Sequence, residues 1–364
     1  MHNHAKVSLE KCHLLLRVCH EEQFAFTPER LVEKKIGIYI GIPFCPSRCV
    51  YCSFASHPIA QTAALVQPFC DQLLQEVEAT VVRFPELSER TDQIYIGGGT
   101  PACLSGNQVE ALLDCLAKNF PKASEITFEG GRPELMTEAL LQRIKGRVSR
   151  ICINPQTLQT ATLQRIGRFH TVKQVENALN TARRLGFPWI NMDLIAGLPA
   201  ETTAEFADTL QKVMQWRPEN VTIHALALKR ASRLHQDKAM LLQLDHRVTA
   251  AMIEASQSVL AKEGYLAYYL YRQRDIMAGA ENIGYTLPGF SSRYNILMIA
   301  ERMNIIGFGV GAVSKFILQN YGEIKLCRLA NPKDVYVYLQ RGKENAEKKF
   351  SYLENLLRGE QHAD

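Results

Sequence analysis

"IGIYIGIPFCPSRCVYC", Ile36 to Cys52, settles what kind of fold this is and where its chemistry lies. The first half is a short apolar run, Ile36–Ile42, that reads as a buried strand. The second half packs three cysteines, Cys45, Cys49 and Cys52, into eight residues directly after it. A reactive loop placed straight after a buried strand belongs to α/β folds, whose sites form at the C-terminal ends of the strands. Pro43, Phe44 and Pro46 restrict the loop backbone, and Tyr51 and Phe54 can shield the sulfurs from water. A structural zinc wants four ligands in a closed tetrahedron, and the nearest fourth candidate is His57. A [4Fe–4S] cluster ordinarily takes four thiolates, so three leave one iron free for something else.

Outward from this stretch, short β-rich runs alternate with segments of helical period as far as residue 228, the pattern of βα units around a parallel sheet. Six strands are expected, at 36–42, 93–99, 125–130, 149–154, 190–197 and 220–228. Amphipathic stretches lie between them at 62–83, 105–119, 135–144, 172–185 and 202–216. Six such units fit a partial barrel or an open doubly wound sheet. The rhythm changes after Lys229, where a helical pattern at 245–263 leads into the aromatic run "YLAYYLYRQRDI" and then the Gly-rich segment "NIIGFGVGAVSKF". The expected division is an N-terminal extension over 1–35, a barrel over 36–235 and a smaller α+β domain over 236–364. In the extension, Cys12 and Cys19 are spaced as a buried thiol face of a helix.

At 364 residues, 46% apolar and 22% charged, the composition is that of a folded globular protein. The 42 basic and 37 acidic side chains are interspersed, so no basic arm points to nucleic acid. No apolar stretch reaches the ~18 residues of a membrane span, and no secretion signal is read. Ten cysteines without the regular spacing of a secreted scaffold point to a reducing compartment, the cytoplasm.

The loop "CPSRCVYC" resembles the cluster loop of the radical S-adenosylmethionine (SAM) enzymes. That resemblance implies a partial (β/α)6 TIM-type barrel, a [4Fe–4S] cluster on Cys45, Cys49 and Cys52, and S-adenosylmethionine chelated by the open iron. It also implies cleavage of the sulfonium to a 5′-deoxyadenosyl radical, chemistry that the cofactor carries, with an electron donor such as flavodoxin or ferredoxin. "YIGGGTP", Tyr95 to Pro101, is similar to the loop that takes the methionine end of the cofactor, implicating Gly98, Gly99 and Thr100. Its glycines allow backbone N–H groups to come close to an anion.

The order of further motifs narrows the resemblance to the oxygen-independent coproporphyrinogen III oxidase (dehydrogenase) group, over roughly residues 36 to 320. In "IYIGIPFC", Tyr39 matches a tyrosine that contacts the cofactor. "TFEGGRPE" supplies Glu129, a match to the carboxylate that accepts ribose hydroxyl bonds. "INPQTL", "IGRFHT" and "NMDLIAGLP" supply Gln156, Arg168 and Asp193, and "HALAL" places Ala227 at a backbone contact. Singly, these polar residues could only cap helices or pair on the surface. "YYLYRQRDIMAGAENIGYTLPG" and "GFGVGAVSKF" look like the Bacillus-type branch. On that likeness Tyr51 and Val313 lie near a possible second cofactor molecule. Arg272 and Arg274 are candidates for propionate carboxylates, which suit guanidinium forks. Tyr268, Tyr269 and Tyr271 read as core.

The implied reaction converts propionates of a tetrapyrrole, coproporphyrinogen III, to vinyl groups without oxygen. Related readings are a radical methyltransferase, a haem-degrading enzyme, or a haem-binding chaperone that keeps the cluster. One departure is plain: the histidine often found in the first strand of the group is Gly41 here.

Overall fold

The computed structural model describes residues 8–23, 25–26, 35–54, 56–320 and 323–361. Its strands are β1 (Ile36–Ile42), β2 (Thr91–Gly98), β3 (Glu125–Glu129), β4 (Arg150–Cys152), β5 (Trp189–Ala196), β6 (Asn220–Ala225), β7 (Leu266–Tyr271), β8 (Asn282–Thr286), β9 (Asn304–Gly309), β10 (Val313–Asn320) and β11 (Glu323–Ala330). The larger helices are α1 (Leu9–Gln23), α2 (Ile59–Arg83), α3 (Gly106–Asn119), α4 (Glu138–Ile144), α5 (Val172–Arg184), α6 (Thr203–Trp216), α7 (His246–Lys262), α8 (Arg293–Ile299), α9 (Val335–Gln340) and α10 (Gly342–Gln361). Among the described residues no helix is long and apolar enough to cross a membrane.

One sheet takes these eleven strands, in the order β11-β10-β9-β1-β2-β3-β4-β5-β6-β8-β7, and a separate two-residue ladder pairs Phe44–Cys45 with His57–Pro58. From β9 to β6 every pairing is parallel, and β10, β11 and β8 pair antiparallel to their neighbours. The six expected strands are therefore the consecutive run β1 to β6. The later segment extends the same sheet at both ends, with β9 against β1 and β8 against β6. The sheet curls: Glu125 on β3 accepts bonds from Ser292 Oγ (2.6 Å) and Arg293 N (2.9 Å), which follow β8 near the far edge of the sheet.

Alternation along β1 explains the layering. Ile36, Ile38, Ile40 and Ile42 are fully buried in the core, each contributing about 1.5–3 kcal/mol, while Tyr39 belongs to the opposite, concave face. The helices begin where the sequence caps them: Ser105 with Gln108, Thr171 with Gln174 and Thr202 with Glu205 form reciprocal capping boxes. Gly41 is explained by packing. A Cβ there would sit 2.6 Å from the Val310 carbonyl oxygen, so the close approach of β1 to the Val310 turn leaves no room for the group's histidine.

The C-terminal helices are tied to the barrel through a buried carboxylate on α2. Glu76 accepts bonds from Lys349 Nζ (2.6 Å), Tyr338 Oη (2.7 Å), Gly309 N (3.0 Å) and Asn331 Nδ2 (3.2 Å). Lys349 also donates to the Gly307 carbonyl (2.6 Å) and lies over the Phe308 ring.

In α1 the helical spacing holds but the expected buried face does not. Leu14, Val18 and Glu21 are buried, Cys12 is half-buried and Cys19 is exposed. The apolar Leu14–Val18 stripe, packed on β7, orients the helix, and the thiols follow from it.

Candidate active site

The cysteine loop crosses the C-terminal ends of the parallel strands. Phe44–Cys45 pairs with His57–Pro58 and closes the loop at its base. Thr100 Oγ1 donates to Cys45 Sγ at 3.3 Å, and Arg132 Nη2 donates to Cys49 Sγ at 3.4 Å and to the Ser47 carbonyl at 2.7 Å. Burial pushes the Cys45 thiol up to about 11, against the Thr100 hydroxyl, and burial also raises Cys52. The three cysteines lie on this one loop, and side chains outside it donate to two of their sulfurs. Tyr51 packs with Val50 on Leu163, Ile166 and Leu226, and burial raises its phenol.

The glycine run ending β2 lies directly beneath this loop. A Cβ on Gly99 would stand 2.6 Å from the Phe44 carbonyl oxygen and 3.0 Å from Cys45 Sγ, and one on Gly98, whose φ is +105°, 2.7 Å from the Ile42 carbonyl oxygen. The amides of Gly99 and Thr100 donate to Ile42 O (2.6 Å) and Phe44 O (2.7 Å). These two N–H groups are thus committed to the cysteine loop and are not offered to an anion, which corrects the expectation from the sequence. The glycines contribute closeness.

Inside the curl, Tyr39 stacks on Tyr95, which stacks on Tyr294, at 6.1 and 5.1 Å between ring centroids. Two carboxylates share this face. Burial and then the charge of Asp193 raise Glu129 to about 7. Burial alone would raise Asp193 too, but His224, 3.6 Å away, and Asn191 Nδ2 at 2.7 Å hold it below its usual value. Neighbouring carboxyls pushed apart in this way suit different roles. Gln156 donates its amide to the Asp193 carbonyl at 2.9 Å from a left-handed backbone, φ 69°. Arg168 is buried, bonds the carbonyls of Gly131 (2.7 Å) and Asn154 (2.6 Å), and reaches Cys49.

Cys45, Cys49, Cys52, Tyr51, Gly98, Gly99, Thr100 and Arg168 meet at the loop; Tyr39, Glu129, Asp193 and Gln156 meet below it. Ala227 bridges to Ile276 just beyond β6. Val313, 40% exposed, begins β10 beyond β9, and Arg272 and Arg274 are exposed beyond the end of β7, beside Lys229, which donates to the Arg274 carbonyl at 2.6 Å. No described contact joins these last four to the thiols. Sequence reading passed over Arg132, only 2% exposed, although it lies within "TFEGGRPE". It also passed over His170, lowered to about 3 by burial and by Arg168, and 3.8 Å from Glu134. A basic residue following a Gly pair after a strand was the available signal for the first.

Among the described residues no three His, Cys, Asp or Glu side chains converge as one ion requires. His57 uses its backbone to pair with Phe44 and Pro43. A cube takes one thiolate on each of three irons and needs its ligands further apart than zinc does. The surroundings fit such an anionic group: three thiols on one loop, Arg132 and Thr100 donating to sulfur, and Arg168 behind them. Below, Gln156 Oε1, Asn154 Oδ1 and Arg168 Nε are buried without a protein partner, which suits a polar organic cofactor because orphaned buried groups are costly.

The sequence profile of the radical SAM superfamily matches residues 39–213. An oxygen-independent coproporphyrinogen-III oxidase-like protein, HemZ of Bacillus subtilis (strain 168), is 38% identical over 349 residues, 94% of this chain and 69% of that protein. Heme chaperone HemW of Lactococcus lactis is 30% identical over 286 residues, 78% of this chain and 70% of that protein. The solved structure of coproporphyrinogen III oxidase (HemN) from Escherichia coli, a radical SAM enzyme, covers 87% of this chain and 72% of its own at 23% identity and TM-score 0.67, and shares the fold.

Proposed function

The chain belongs to the radical SAM superfamily, in the branch of oxygen-independent coproporphyrinogen-III oxidase-like proteins, and from that premise we propose that it oxidatively decarboxylates propionates of coproporphyrinogen III to vinyl groups. The family uses a [4Fe–4S] cluster and S-adenosylmethionine. Bound together and reduced, they supply a 5′-deoxyadenosyl radical able to take a hydrogen atom. Each propionate would lose one β-hydrogen, carbon dioxide and one electron, the last to a one-electron acceptor.

The observation that carries the reading is the clustering of three thiols, two inward guanidiniums and two carboxyls of divergent pKa at one end of the sheet. Cys45, Cys49 and Cys52 hold the cluster, with Thr100 and Arg132 donating to its sulfurs and Gly98 and Gly99 keeping the loop close. Glu129 and Asp193 accept hydroxyl bonds from the nucleoside, Gln156 offers its free Oε1, and Tyr39 covers the cofactor from below. Arg168 fixes the loop ends. Tyr51, Ala227 and Val313 flank the cofactor, and Arg272 and Arg274, exposed at the same end, receive propionates. A low-potential carrier such as flavodoxin or ferredoxin provides the electron, and the cytoplasm is the matching compartment.

The test is an anaerobic incubation of reconstituted protein with reductant, S-adenosylmethionine and coproporphyrinogen III, analysed by mass. The expected result is 5′-deoxyadenosine together with loss of carbon dioxide and two hydrogens per propionate. An intact tetrapyrrole with stoichiometric haem binding would transfer the reading to haem delivery, as the HemW likeness suggests. S-adenosylhomocysteine would transfer it to methyl transfer.

A further inference from the structure

Three segments are stitched into one outer surface over the cysteine loop. Val50 N donates to Ile166 O (3.1 Å), Leu234 N to Val50 O (2.8 Å), Ser47 Oγ to Gly167 O (2.9 Å) and Arg48 Nη2 to Ala231 O (2.9 Å). Cys52, half-buried, lies on this loop, so this face is a short route from outside to the sulfurs.

Its charge is one-sided. Arg48, Lys229, Arg230, Arg233 and Lys238 are exposed or half-exposed. None is ion-paired with a described carboxylate; Arg48, Lys229 and Arg233 bond only to main-chain carbonyls, of Cys52 and Ala231, of Arg274, and of Arg48. The acids nearby in the chain are Asp237, whose carboxylate caps the short helix 238–241, and Asp275. Elsewhere on the surface arginines are matched, as in Arg147–Asp114 (2.5 Å), Arg83–Glu354 (2.7 Å) and Arg184–Glu138 (2.9 Å). Two large aromatics stand out in the same region: Phe54 is 66% and Phe169 71% exposed. Unmatched cations around exposed aromatic anchors are the composition of a protein-docking surface that steers an acidic partner.

We propose that this face docks an acidic protein carrier of single electrons, of the flavodoxin or ferredoxin kind, next to the Cys45–Cys52 loop. The inference rests on the reading that these cysteines hold a reducible cluster. On docking, one electron leaves the reduced carrier and enters the oxidised cluster, with no bond made or broken. Charge complementarity sets the encounter rate, so the reaction depends on salt. A small inorganic reductant needs no docking surface.

The experiment follows cluster bleaching by stopped flow in reconstituted protein without tetrapyrrole, comparing reduced flavodoxin, reduced ferredoxin and dithionite. Arg230→Glu combined with Lys238→Glu touches neither the thiols nor the concave face. The double reversal is expected to slow bleaching by at least one protein carrier about tenfold at ~50 mM salt, with a smaller difference at ~300 mM. Dithionite bleaching, S-adenosylmethionine binding and circular dichroism should stay unchanged. Carrier rates insensitive to the reversal or to salt would overturn the proposal, as would bleaching by neither carrier or equal slowing with dithionite. Tight binding of a structured RNA that the reversal abolishes, with carrier rates intact, would overturn it too. Normal carrier-driven bleaching beside an undecarboxylated tetrapyrrole overturns the substrate reading alone.

Discussion

The carboxylate on α2 is buried and the carboxylates inside the curl are half-buried, and their surroundings are opposite. Glu76 accepts four bonds, one from a lysine with no exposed surface. Between the curl and the cysteine loop, by contrast, Gln156, whose backbone bonds Asp193, and Asn154 and Arg168, which bond each other, each keep a buried polar atom without a protein partner. A network complete in itself holds structure together, while an incomplete one awaits a ligand. The difference agrees with a structural tie at Glu76 and with a ligand site near the cysteine loop.

The strongest way to break this contrast is at the thiols. Cys49→Ala is expected to abolish cluster loading and activity while leaving the fold intact, read by iron and sulfide content after anaerobic reconstitution beside a thermal melt. At the Glu76 tie the outcome inverts. Lys349→Met leaves Glu76 buried and unpaired, and should cost about 3–5 kcal/mol in denaturant unfolding; adding Glu76→Gln should recover part of it. Gly41→His, which restores the residue usual in the group, should cost about 1–3 kcal/mol because the new Cβ meets the Val310 carbonyl.

The pH dependence sharpens the comparison further. Glu129, raised to about 7, keeps a proton in the folded protein that the unfolded chain has already released. The cofactor-free protein should therefore lose stability as pH rises from the ordinary glutamate range towards 7, and Glu129→Gln should flatten that slope in melts across the interval. Glu201, also raised to about 7, adds a contribution of the same sign. S-adenosylmethionine, whose hydroxyls favour an ionised acceptor, should bind more tightly as pH passes through 7, a trend that titration calorimetry would find missing in the same variant. The smallest effect belongs to the surface: Lys118→Ala, which removes an exposed pair with Glu78 at 3.1 Å, should change stability by less than ~0.5 kcal/mol.

The run β1 to β6 was readable because fully buried parallel strands are short apolar bursts, and their helices start at capping boxes such as Thr202-x-x-Glu205. The cysteine loop was readable because three thiols on a strand end have few uses. Long-range partners were not. Nothing local in "NIIGFG" says that β9 will pair with β1 rather than form a separate unit, since the register Ile36↔Asn304 joins distant parts of the chain. Arg132 drew no attention in the sequence, because its contact with Cys49 exists only after two loops meet. The α1 face was misjudged because cysteine, small and apolar, suits both a buried and an exposed helical position, and Leu14 with Val18 decided the orientation.

The pairing of β1 with β9 also governs how the molecule is made. During translation the open edge of the first strand must wait for residues 304–309 to leave the ribosome, roughly ten to fifty seconds at ~5–20 residues per second. Until then the loop carrying Cys45, Cys49 and Cys52 hangs from a strand that lacks one neighbour. The support of the thiol loop is therefore completed only by a segment more than 250 residues further along the chain.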